Sequence, residues 1–521
     1  MGYNVNPNND GFKEALNDKI YVDKSEMLLV TNELLDTKRK FMCVSRPRRF
    51  GKSMAVDLLI AYYSKGCNSK ELFANSKIVC NPDFEKHLNK YNVIWLNLPK
   101  FSGRGGDNRN ILTNLNARVI RELKKVFPDM VLTDDYFPAA LEEIYAETNE
   151  KFIILIDEWD LIFRENKNDS NLQKEFVDFY RSLFKDSPYI KLAYLTGILP
   201  VKRYNTQSAL NNFDEYTMIN PMGLDKCFGF TEDEVIQLCD KWNMSFDKIK
   251  SWYDGYLMPN NVHLYNPRSV VTAFYAKNLR GYWVETASYE SLKIPINMNF
   301  EGLKETVIEL MAGNKCRINV NSFQNDMVSF NSKDDALTLL IHLGYLGYDS
   351  STKEVFIPNK EIKGEFENTL INSNWKEVTR ALKNSEDLLK ATLNCDEEKV
   401  AQYIEQAHQD VASILQYNSE ETLKCVVYIA YYTAISDYSL IKEFPTGKGF
   451  ADLVLLPYKF SDKPLIIVEL KHNKTAESAL EQIKAKKYTD SLKDYSGEMI
   501  LVGINYDDDK KHSCKIEKLV K

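Results

Sequence analysis

An eight-residue segment near the start of the chain has the residue types and spacing of a phosphate-binding loop. It reads RPRRFGKS at residues 46–53 and lies between an apolar run and a helical pattern. Backbone N–H groups at a helix N-terminus bind phosphate, and a glycine lets the backbone approach it closely. The segment predicts a nucleoside triphosphate held by Gly51 and Lys52, with Mg²⁺ bound by Ser53. A basic loop that only caps the helix is the alternative.

Two adjacent carboxylates follow a second apolar run, FIILI, at residues 152–156. A buried strand that delivers Asp157 to Mg²⁺ and Glu158 to a water molecule is the arrangement of hydrolytic nucleotide sites. A surface turn after a core strand is the alternative, which the paired acids make less attractive. A third apolar run ends at Thr196, and the side chain of Thr196 could sense the γ-phosphate. The alternative is that the Thr-Gly pair only marks the end of a strand, as this pair commonly does.

Several arginines surround the predicted loop. Arg46 stands where the GxxxxGK[ST] pattern has its first glycine, so the first turn of the loop must form in another way. We predict that Arg46, Arg48 and Arg49 contact the nucleotide. Arg203 is a further candidate for contact with a phosphate or a neighbouring subunit. Solvated surface charge is an equally good interpretation of Arg48, Arg49 and Arg203.

A second set of charged residues lies near the C-terminus, in GKGFAD at residues 447–452 and IIVELK at residues 466–471. Side chains alternate along a strand, so Glu469 and Lys471 project to one side. If the strand that carries Asp452 pairs alongside, Asp452 and Glu469 meet and need a divalent cation between them. Lys471 would then orient an attacking water or neutralise the transition state. An ExK tripeptide alone carries little information, because exposed strands often alternate charges.

A helix predicted after this strand adds polar residues to the same region. Gln482 and Lys486 lie one turn apart on one helix face, and Tyr488 is close in sequence. Lys484, Lys486 and Lys487 form a basic patch that suits a nucleic-acid backbone. A solvated amphipathic face is the alternative.

The composition favours a multidomain protein of a reducing compartment. The chain has 521 residues, is 44% hydrophobic and 27% charged, and carries a formal net charge of −7, so we expect two or three domains. Nine cysteines without paired CxxC spacing, together with six histidines, argue against a zinc framework. The N-terminus is polar and the apolar runs are only strand-length, which predicts a cytoplasmic protein without a membrane segment.

The elements that must position these residues form two α/β patterns with a helical region between them. Residues 1–228 alternate strands and helices as in a parallel sheet, with strands at 41–44, 93–98, 152–156 and 192–195. Residues 229–380 are predicted to be a mostly helical lid and connector, with a helix-plus-hairpin unit at 337–365. Residues 381–521 are predicted to form a smaller α/β domain, with helices at 422–435 and 476–492 and strands near 440–444, 452–456, 465–471 and 499–502.

Five segments together resemble one family: RPRRFGKS, LIDEWD, LTGILPVK, GFTEDEV and WYDGY look like the AAA-ATPase-like family of bacterial proteins. The similarity runs from residues 21–24 nearly to the C-terminus, and the family's loop also has arginine at the position of Arg46. The resemblance implies an α/β protein with a P-loop NTPase sheet of the ASCE/AAA-like type. It also implies a helical lid and connector, a small α/β PD-(D/E)XK nuclease-like domain, and ATP as the nucleotide.

The C-terminal segment is similar to the D…ExK arrangement of the PD-(D/E)XK nuclease superfamily. The matching residues are Asp452, Glu469 and Lys471. The family pattern QIxxKxY is matched by QIKAKKY at residues 482–488. Glu421 resembles the extra carboxylate that some members supply, and Glu443 is another option for that role. Many relatives have arginine at the position of Phe450.

Together these predictions describe a protein that binds and hydrolyses ATP. The same protein is predicted to cleave DNA at a site that uses Mg²⁺ or Mn²⁺, and the nucleotide is predicted to gate this cleavage. The alternative is a nucleotide-driven signalling or assembly switch whose C-terminal domain binds a partner or nucleic acid without cutting it. A third interpretation is an interaction protein with a relic nucleotide site. The intact Lys52, Ser53, Asp157 and Glu158 argue against it. A homo-oligomer is left open.

Overall fold

A computed structural model describes residues 2–201, 210–283, 290–298, 300–323, 330–371, 375–412, 420–446, 449–458, 462–486, 495, 497–507 and 511–519. The chain forms two compact units. The first consists of Met1–Phe300 and Arg317–Gly364, and the second of Glu301–Cys316 and Glu365–Lys521. The sequence therefore passes between the units three times. The domain boundaries that the sequence suggests, after residues 228 and 380, stay predictions.

The secondary structure is mixed. The strands are β1 Phe41–Ser45, β2 Asn92–Asn97, β3 Phe152–Asp157, β4 Ile190–Gly197, β5 Asp214–Tyr216, β6 Phe230–Thr231, β7 Tyr256–Met258, β8 Val262–Tyr265, β9 Cys316–Arg317, β10 Gly347–Asp349, β11 Glu354–Phe356, β12 Tyr438–Thr446, β13 Gly449–Pro457, β14 Leu465–His472, β15 Met499–Tyr506 and β16 His512–Leu519. The helices are α1 Asp10–Leu16, α2 Met27–Leu34, α3 Lys52–Tyr63, α4 Phe84–His87, α5 Ile111–Val126, α6 Phe137–Thr148, α7 Leu161–Glu165, α8 Ser170–Phe184, α9 Glu232–Trp242, α10 Phe246–Tyr253, α11 Pro267–Ala276, α12 Glu290–Ile296, α13 Leu303–Met311, α14 Lys333–Leu343, α15 Lys360–Ile371, α16 Lys376–Leu393, α17 Glu397–Ala412, α18 Glu420–Ala430 and α19 Ala476–Ala485.

The main sheet of the first unit is parallel, with strand order β2-β3-β4-β1-β5. β1 and β3 are buried along their whole length because helices cover both faces. Cys43 packs into the core that α5, α6 and α8 complete, whereas its neighbour Val44 packs into the core under α1, α2 and α3. The predicted parallel α/β fold is therefore confirmed, and β4 separates β1 from β3 as expected for the ASCE type. All carboxyl ends meet at one edge of the sheet.

The helical region after residue 229 also contains strands that the sequence pattern does not predict. β6, β8 and β7 form a small antiparallel sheet, and α9, α10 and α11 pack into an adjoining core. Strands of two to four residues are too short to show a periodic pattern. The predicted helix-plus-hairpin unit is present as α14 followed by the β10–β11 hairpin.

The second unit has its own five-stranded sheet in the order β12-β13-β14-β15-β16. β14 and β15 are parallel and the other neighbours are antiparallel, and α19 packs on the sheet through Leu480 and Ile483. The helix predicted at 422–435 ends earlier, at Ala430, because the Thr433 N–H donates to Ser385 Oγ at 2.9 Å instead of continuing the helix. The pattern also misses β16. In the part of the chain that the structure describes, no helix has the length and apolarity to cross a membrane.

Candidate functional site

The predicted phosphate-binding loop lies between β1 and α3 at the carboxyl edge of the parallel sheet. Gly51 precedes α3 with φ of +90°, a conformation that glycine adopts without strain. Lys52 is buried, and its Nζ donates to the carbonyl oxygens of Arg46 and Pro47, each at 3.0 Å. Burial lowers the pKa of Lys52, although the charges of the nearby acids oppose the shift. The ammonium is therefore held inside the curve of the loop.

Ser53 and Asp157 meet as the sequence predicts. Ser53 Oγ donates to Asp157 Oδ2 at 3.0 Å, and Asn97 Nδ2 lies 3.4 Å from the same oxygen. Asp157 is only 2% exposed. Burial, together with the charge of Glu158, raises the pKa of Asp157 to about 6. A hydroxyl and a carboxylate are thus positioned side by side next to the loop.

Glu158 turns away from the end of β3 with a left-handed φ of +58°. Its carboxylate forms an ion pair with Arg164, and Arg164 Nε lies 3.1 Å from Asp160 Oδ2. Asp160 is fully buried and accepts the N–H groups of Ile198 at 3.0 Å and Leu199 at 2.8 Å. A chain of contacts from the end of β4 therefore fixes the position of the Glu158 carboxylate.

Arg46 is fully buried and points into the protein. Its guanidinium donates to the carbonyl oxygens of Ser45 at 2.9 Å, Tyr216 at 2.7 Å and Leu224 at 3.3 Å, and it lies over the Phe228 ring. Burial lowers the pKa of Arg46 to about 10. These contacts tie the loop to the end of β5 and to the segment that follows it, and the nucleotide contact expected of Arg46 stays a prediction.

Thr196 is also buried, level with Asp157 on the neighbouring strand. Its hydroxyl donates to the Val44 carbonyl oxygen at 3.1 Å. That bond stabilises the pairing of β4 with β1, and the γ-phosphate contact expected of Thr196 stays a prediction.

A cavity of about 810 Å³ lies over the loop in the first unit. Arg48 is half-buried and Arg49 is exposed, and both line the cavity with Arg268. Partial burial of its guanidinium, followed by the charges of Arg268 and Arg48, lowers the pKa of Arg49. The apolar part of the wall includes Ile20, Tyr21, Val22, Phe230 and Val271. The cavity thus has a cationic region at the loop and an apolar region beside it. Arg203 lies outside the described residues.

The second candidate site lies in the second unit, where β13 and β14 are antiparallel neighbours. Asp452 Oδ2 accepts the Leu470 N–H at 2.8 Å, which places this carboxylate between Glu469 and Lys471. Lys471 Nζ lies 3.1 Å from Glu469 Oε1. Glu469 is 2% exposed, and burial together with the charge of Asp452 raises its pKa to about 7. The structure therefore brings the three predicted residues together.

Residues of α19 border this site. Gln482 donates a hydrogen bond to Glu469 Oε1, and the positive charge of Lys486 acts to lower the pKa of Glu469. Lys484 forms an ion pair with Glu517 at 2.6 Å, which reduces the predicted basic patch. Tyr488 lies outside the described residues.

The remaining candidates of the second unit differ in their surroundings. Glu421 lies in the first turn of α18. Glu443 has an exposed side chain on β12, and Lys424 Nζ lies 3.6 Å from its Oε1 and 3.4 Å from Asp452 Oδ1. Phe450 is 61% exposed on β13, two residues before Asp452 and therefore on the same face of the strand.

The donor sets at both sites fit Mg²⁺. Within the described ranges, no three His, Cys, Asp or Glu side chains are placed to hold a metal ion. Mg²⁺ in phosphate-transfer sites is commonly held by one or two carboxylates, with water and phosphate oxygens as the other ligands. Ser53 with Asp157, and Asp452 with Glu469, each offer such a set. Glu469 Oε2 is moreover buried without a hydrogen-bond donor among the described residues, which a cation would satisfy.

Four residues at these sites are absent from the sequence predictions: Asn97, Arg164, Lys424 and Arg268. Asn97 ends an apolar run just as Asp157 does, so the meeting of parallel strand ends at one edge could have indicated it. Arg268 follows the Asn-Pro pair that begins α11, a weaker signal. Arg164 and Lys424 lie on helices among other charges, where no local pattern distinguishes them.

The fold and the sites define an α/β protein with a P-loop ATPase-like sheet and a C-terminal PD-(D/E)XK α/β domain. Residues 10–206 match the family model described as predicted AAA-ATPase, and residues 418–516 match that of the PD-(D/E)XK nuclease superfamily. Both matches confirm the family resemblance and its domain order.

Individual relatives are distant. A protein encoded in the vnfD 5′ region of Azotobacter chroococcum mcd 1 is 25% identical over 292 residues, which cover 52% of this chain and 51% of the relative. The chain thus spans about half the length of that curated relative.

Two solved structures are similar over larger parts of the chain. A Walker-type ATPase of Pyrococcus abyssi has a TM-score of 0.33 and 13% identity, covering 66% of this chain and 94% of its own. The ORC2 protein of Aeropyrum pernix has a TM-score of 0.25 and 10% identity, covering 68% of this chain and 98% of its own. Likenesses this weak have no bearing on function.

Proposed function

We propose that the first unit binds and hydrolyses ATP, that the second unit cleaves DNA with a divalent metal ion, and that the nucleotide gates the cleavage. The ATP half is carried by the 3.0 Å contact between Ser53 and Asp157 beside the Gly51–Lys52 turn. The nuclease half is carried by the buried Glu469 carboxylate, which lies beside Asp452 and Lys471 and keeps one oxygen without a donor among the described residues.

In the first unit each residue has a definite task. Lys52 and the N–H groups at the start of α3 bind the phosphates, as helix N-termini do. Ser53 and Asp157 hold Mg²⁺, and Glu158 orients the attacking water. Arg164 holds the Glu158 carboxylate through their ion pair. Asp157 must be ionised to hold the metal, so its raised pKa makes nucleotide binding with Mg²⁺ weaker below about pH 6.

In the second unit Asp452 and Glu469 hold the metal ion. Lys471 orients the attacking water or stabilises the developing negative charge on the phosphate. Gln482 fixes the Glu469 carboxylate through its hydrogen bond. When bound, the divalent ion supplies positive charge to phosphate oxygens at both sites. The chain passes between the units three times, so a change in the first unit has several covalent routes to the second.

A second candidate function is a nucleotide-driven switch whose C-terminal domain binds a partner or nucleic acid without cutting it. The Lys484–Glu517 ion pair favours it, because it neutralises part of the basic patch that would contact a phosphate backbone.

A cleavage assay on the purified full-length chain separates the two functions. Supercoiled and single-stranded DNA are incubated with Mg²⁺ or Mn²⁺, with and without ATP. We expect Asp452→Asn to lower the cleavage rate about a hundredfold or more, because a metal ligand and its charge are lost. Lys52→Ala should leave the DNA site intact and remove the effect of ATP on cleavage.

Asp437→Asn is the matched control, since it removes an aspartate that is paired with Lys463 in the same unit. Its cleavage rate should equal that of the unsubstituted chain. Scission that persists in Asp452→Asn would contradict the nuclease proposal. Intact ATP turnover without cleavage under any condition would favour the switch.

A further inference from the structure

A row of three carboxylates crosses the sheet of the second unit. Glu443 of β12 and Asp452 of β13 lie between two paired positions of these neighbouring strands. Extending the pairing of β13 with β14 by one residue places Asp452 opposite Glu469. Residues at such neighbouring positions have their side chains close together, and the contacts of one ammonium, that of Lys424, with both Glu443 and Asp452 place these two carboxylates side by side. Three neighbouring negative charges repel one another unless cations lie among them.

Lys424 supplies one of these cations from α18. Its Nζ lies 3.4 Å from Asp452 Oδ1 and 3.6 Å from Glu443 Oε1, so one ammonium serves both carboxylates. The side chains of Lys424 and Asp452 are 16% and 10% exposed, and solvent screens their attraction less than at a free surface. A lysine ammonium is a compact point charge, which makes it the side-chain group most similar to a metal ion in this position.

The remaining oxygens leave room for a single metal ion. Asp452 Oδ2 accepts the Leu470 N–H, and Glu469 Oε1 accepts from Lys471 and Gln482. Glu469 Oε2 is the buried carboxylate oxygen of the row that has no donor among the described residues. The vicinity of Glu469 Oε2 therefore offers a place for a cation, whereas Asp452 and Glu443, at the other end of the row, already have the Lys424 ammonium beside them.

We propose that Lys424 takes the place of a second metal ion, so that the second unit binds one divalent ion, at Asp452 and Glu469. Two-metal nuclease sites hold their ions about 3.5–4 Å apart with carboxylates shared between them. An ammonium on Asp452 and Glu443 occupies the second of these positions and repels another cation there. This inference rests on the proposed metal-dependent site and adds the number of ions and the role of Lys424 as a positioning residue.

The number of bound ions is measured directly by titration with Mn²⁺ and electron paramagnetic resonance of the free ion. The full-length chain carries Asp157→Asn in every sample, so that the first unit contributes no bound ion, and no nucleotide is added. We expect one Mn²⁺ per chain with Lys424 present and two with Lys424→Met, which has a similar length and no charge. Lys424→Arg, which keeps the charge, should bind one.

Lys515→Met is the matched control, because it removes a lysine of the same unit that pairs with Glu397 at 2.9 Å. It should bind one Mn²⁺. Two ions bound with Lys424 present would overturn this inference and leave the nuclease proposal standing. A single ion in a folded Lys424→Met chain would also overturn it. If that variant does not fold, the number of Mn²⁺ ions bound by the chain that retains Lys424 decides whether the inference stands. No binding in any chain would remove the inference and the metal-dependent nuclease together.

Discussion

Glu469 is a carboxylate whose environment opposes its charge. It is 2% exposed, and burial, followed by the charge of Asp452, raises its pKa from 4.5 to about 7. The ammonium of Lys471 offsets part of this shift. Between about pH 4.5 and pH 7 the folded chain keeps a proton that the unfolded chain has released. Glu469 therefore lowers the stability of the fold as the pH rises through this window. A residue held at such a cost is typical of a functional site.

The affinity of the second unit for Mn²⁺ should depend on pH through Glu469. A proton and the metal compete for its carboxylate, so affinity should fall about tenfold per pH unit below about pH 7 and level off above it. Titrations in the Asp157→Asn chain between about pH 5.5 and 8.5 measure this dependence. Glu469→Gln should bind weakly with no step near neutrality. An affinity that is constant over the whole range would contradict the prediction.

The loop between β1 and α3 is held in place by several segments of the first unit. Arg46 ties its start to the last residue of β5 and to the chain that follows. The Gly229 N–H donates to the Phe50 carbonyl oxygen at 3.1 Å, and Trp283 Nε1 donates to that of Arg48 at 3.4 Å. Backbone groups that bind phosphate must be fixed before the ligand arrives, and these contacts fix them.

Replacement of Arg46 tests this arrangement. Arg46→Ala should lower the free energy of unfolding of the first unit by about 2–4 kcal/mol, because it leaves a cavity and unpaired buried carbonyls. Hydrogen exchange of β1 amides at increasing urea concentration reports on this unit separately. Arg39→Ala is the matched control: Arg39 is 58% exposed in its pair with Asp214, so its loss should leave the free energy of unfolding nearly unchanged. Equal effects of both substitutions would show that the Arg46 contacts do not hold the loop.

At the scale of the whole molecule, each of the two units is built from two separate segments of the chain. In the sequence, residues 301–316 of the second unit separate the two segments that form the first unit. Each unit has its own five-stranded sheet and its own candidate site. The proposed gating requires that a nucleotide bound in the first unit changes the second.

Hydrogen–deuterium exchange tests that coupling. A non-hydrolysable ATP analogue with Mg²⁺ should slow exchange in the loop and α3, because bound ligand stabilises the state that holds it. If the nucleotide gates the second unit, exchange in β13 and β14 should change as well. Lys52→Ala should abolish both effects. Protection confined to the first unit would mean that nucleotide binding and the PD-(D/E)XK domain are independent.

The amino-acid sequence by itself determined the two α/β patterns and the positions of the main charged motifs. Continuous apolar runs are unmistakable where helices cover both faces of a sheet, so the strands that end at Asp157 and Thr196 could be predicted. The meeting of Asp452 with Glu469 followed from strand alternation once β13 and β14 were assumed to pair. These features depend on residues close together in the chain.

Only the tertiary structure decided what the other side chains contact. Arg46 is near the loop in sequence, yet its guanidinium bonds to carbonyl oxygens of Tyr216 and Leu224, far along the chain. Lys424 likewise contacts a residue of another element: it lies on α18, and its ammonium is close to Asp452 on β13. Packing of distant segments chooses such partners, and no local periodicity encodes them. The sequence therefore located both candidate sites, whereas the fold determined which charges they contain.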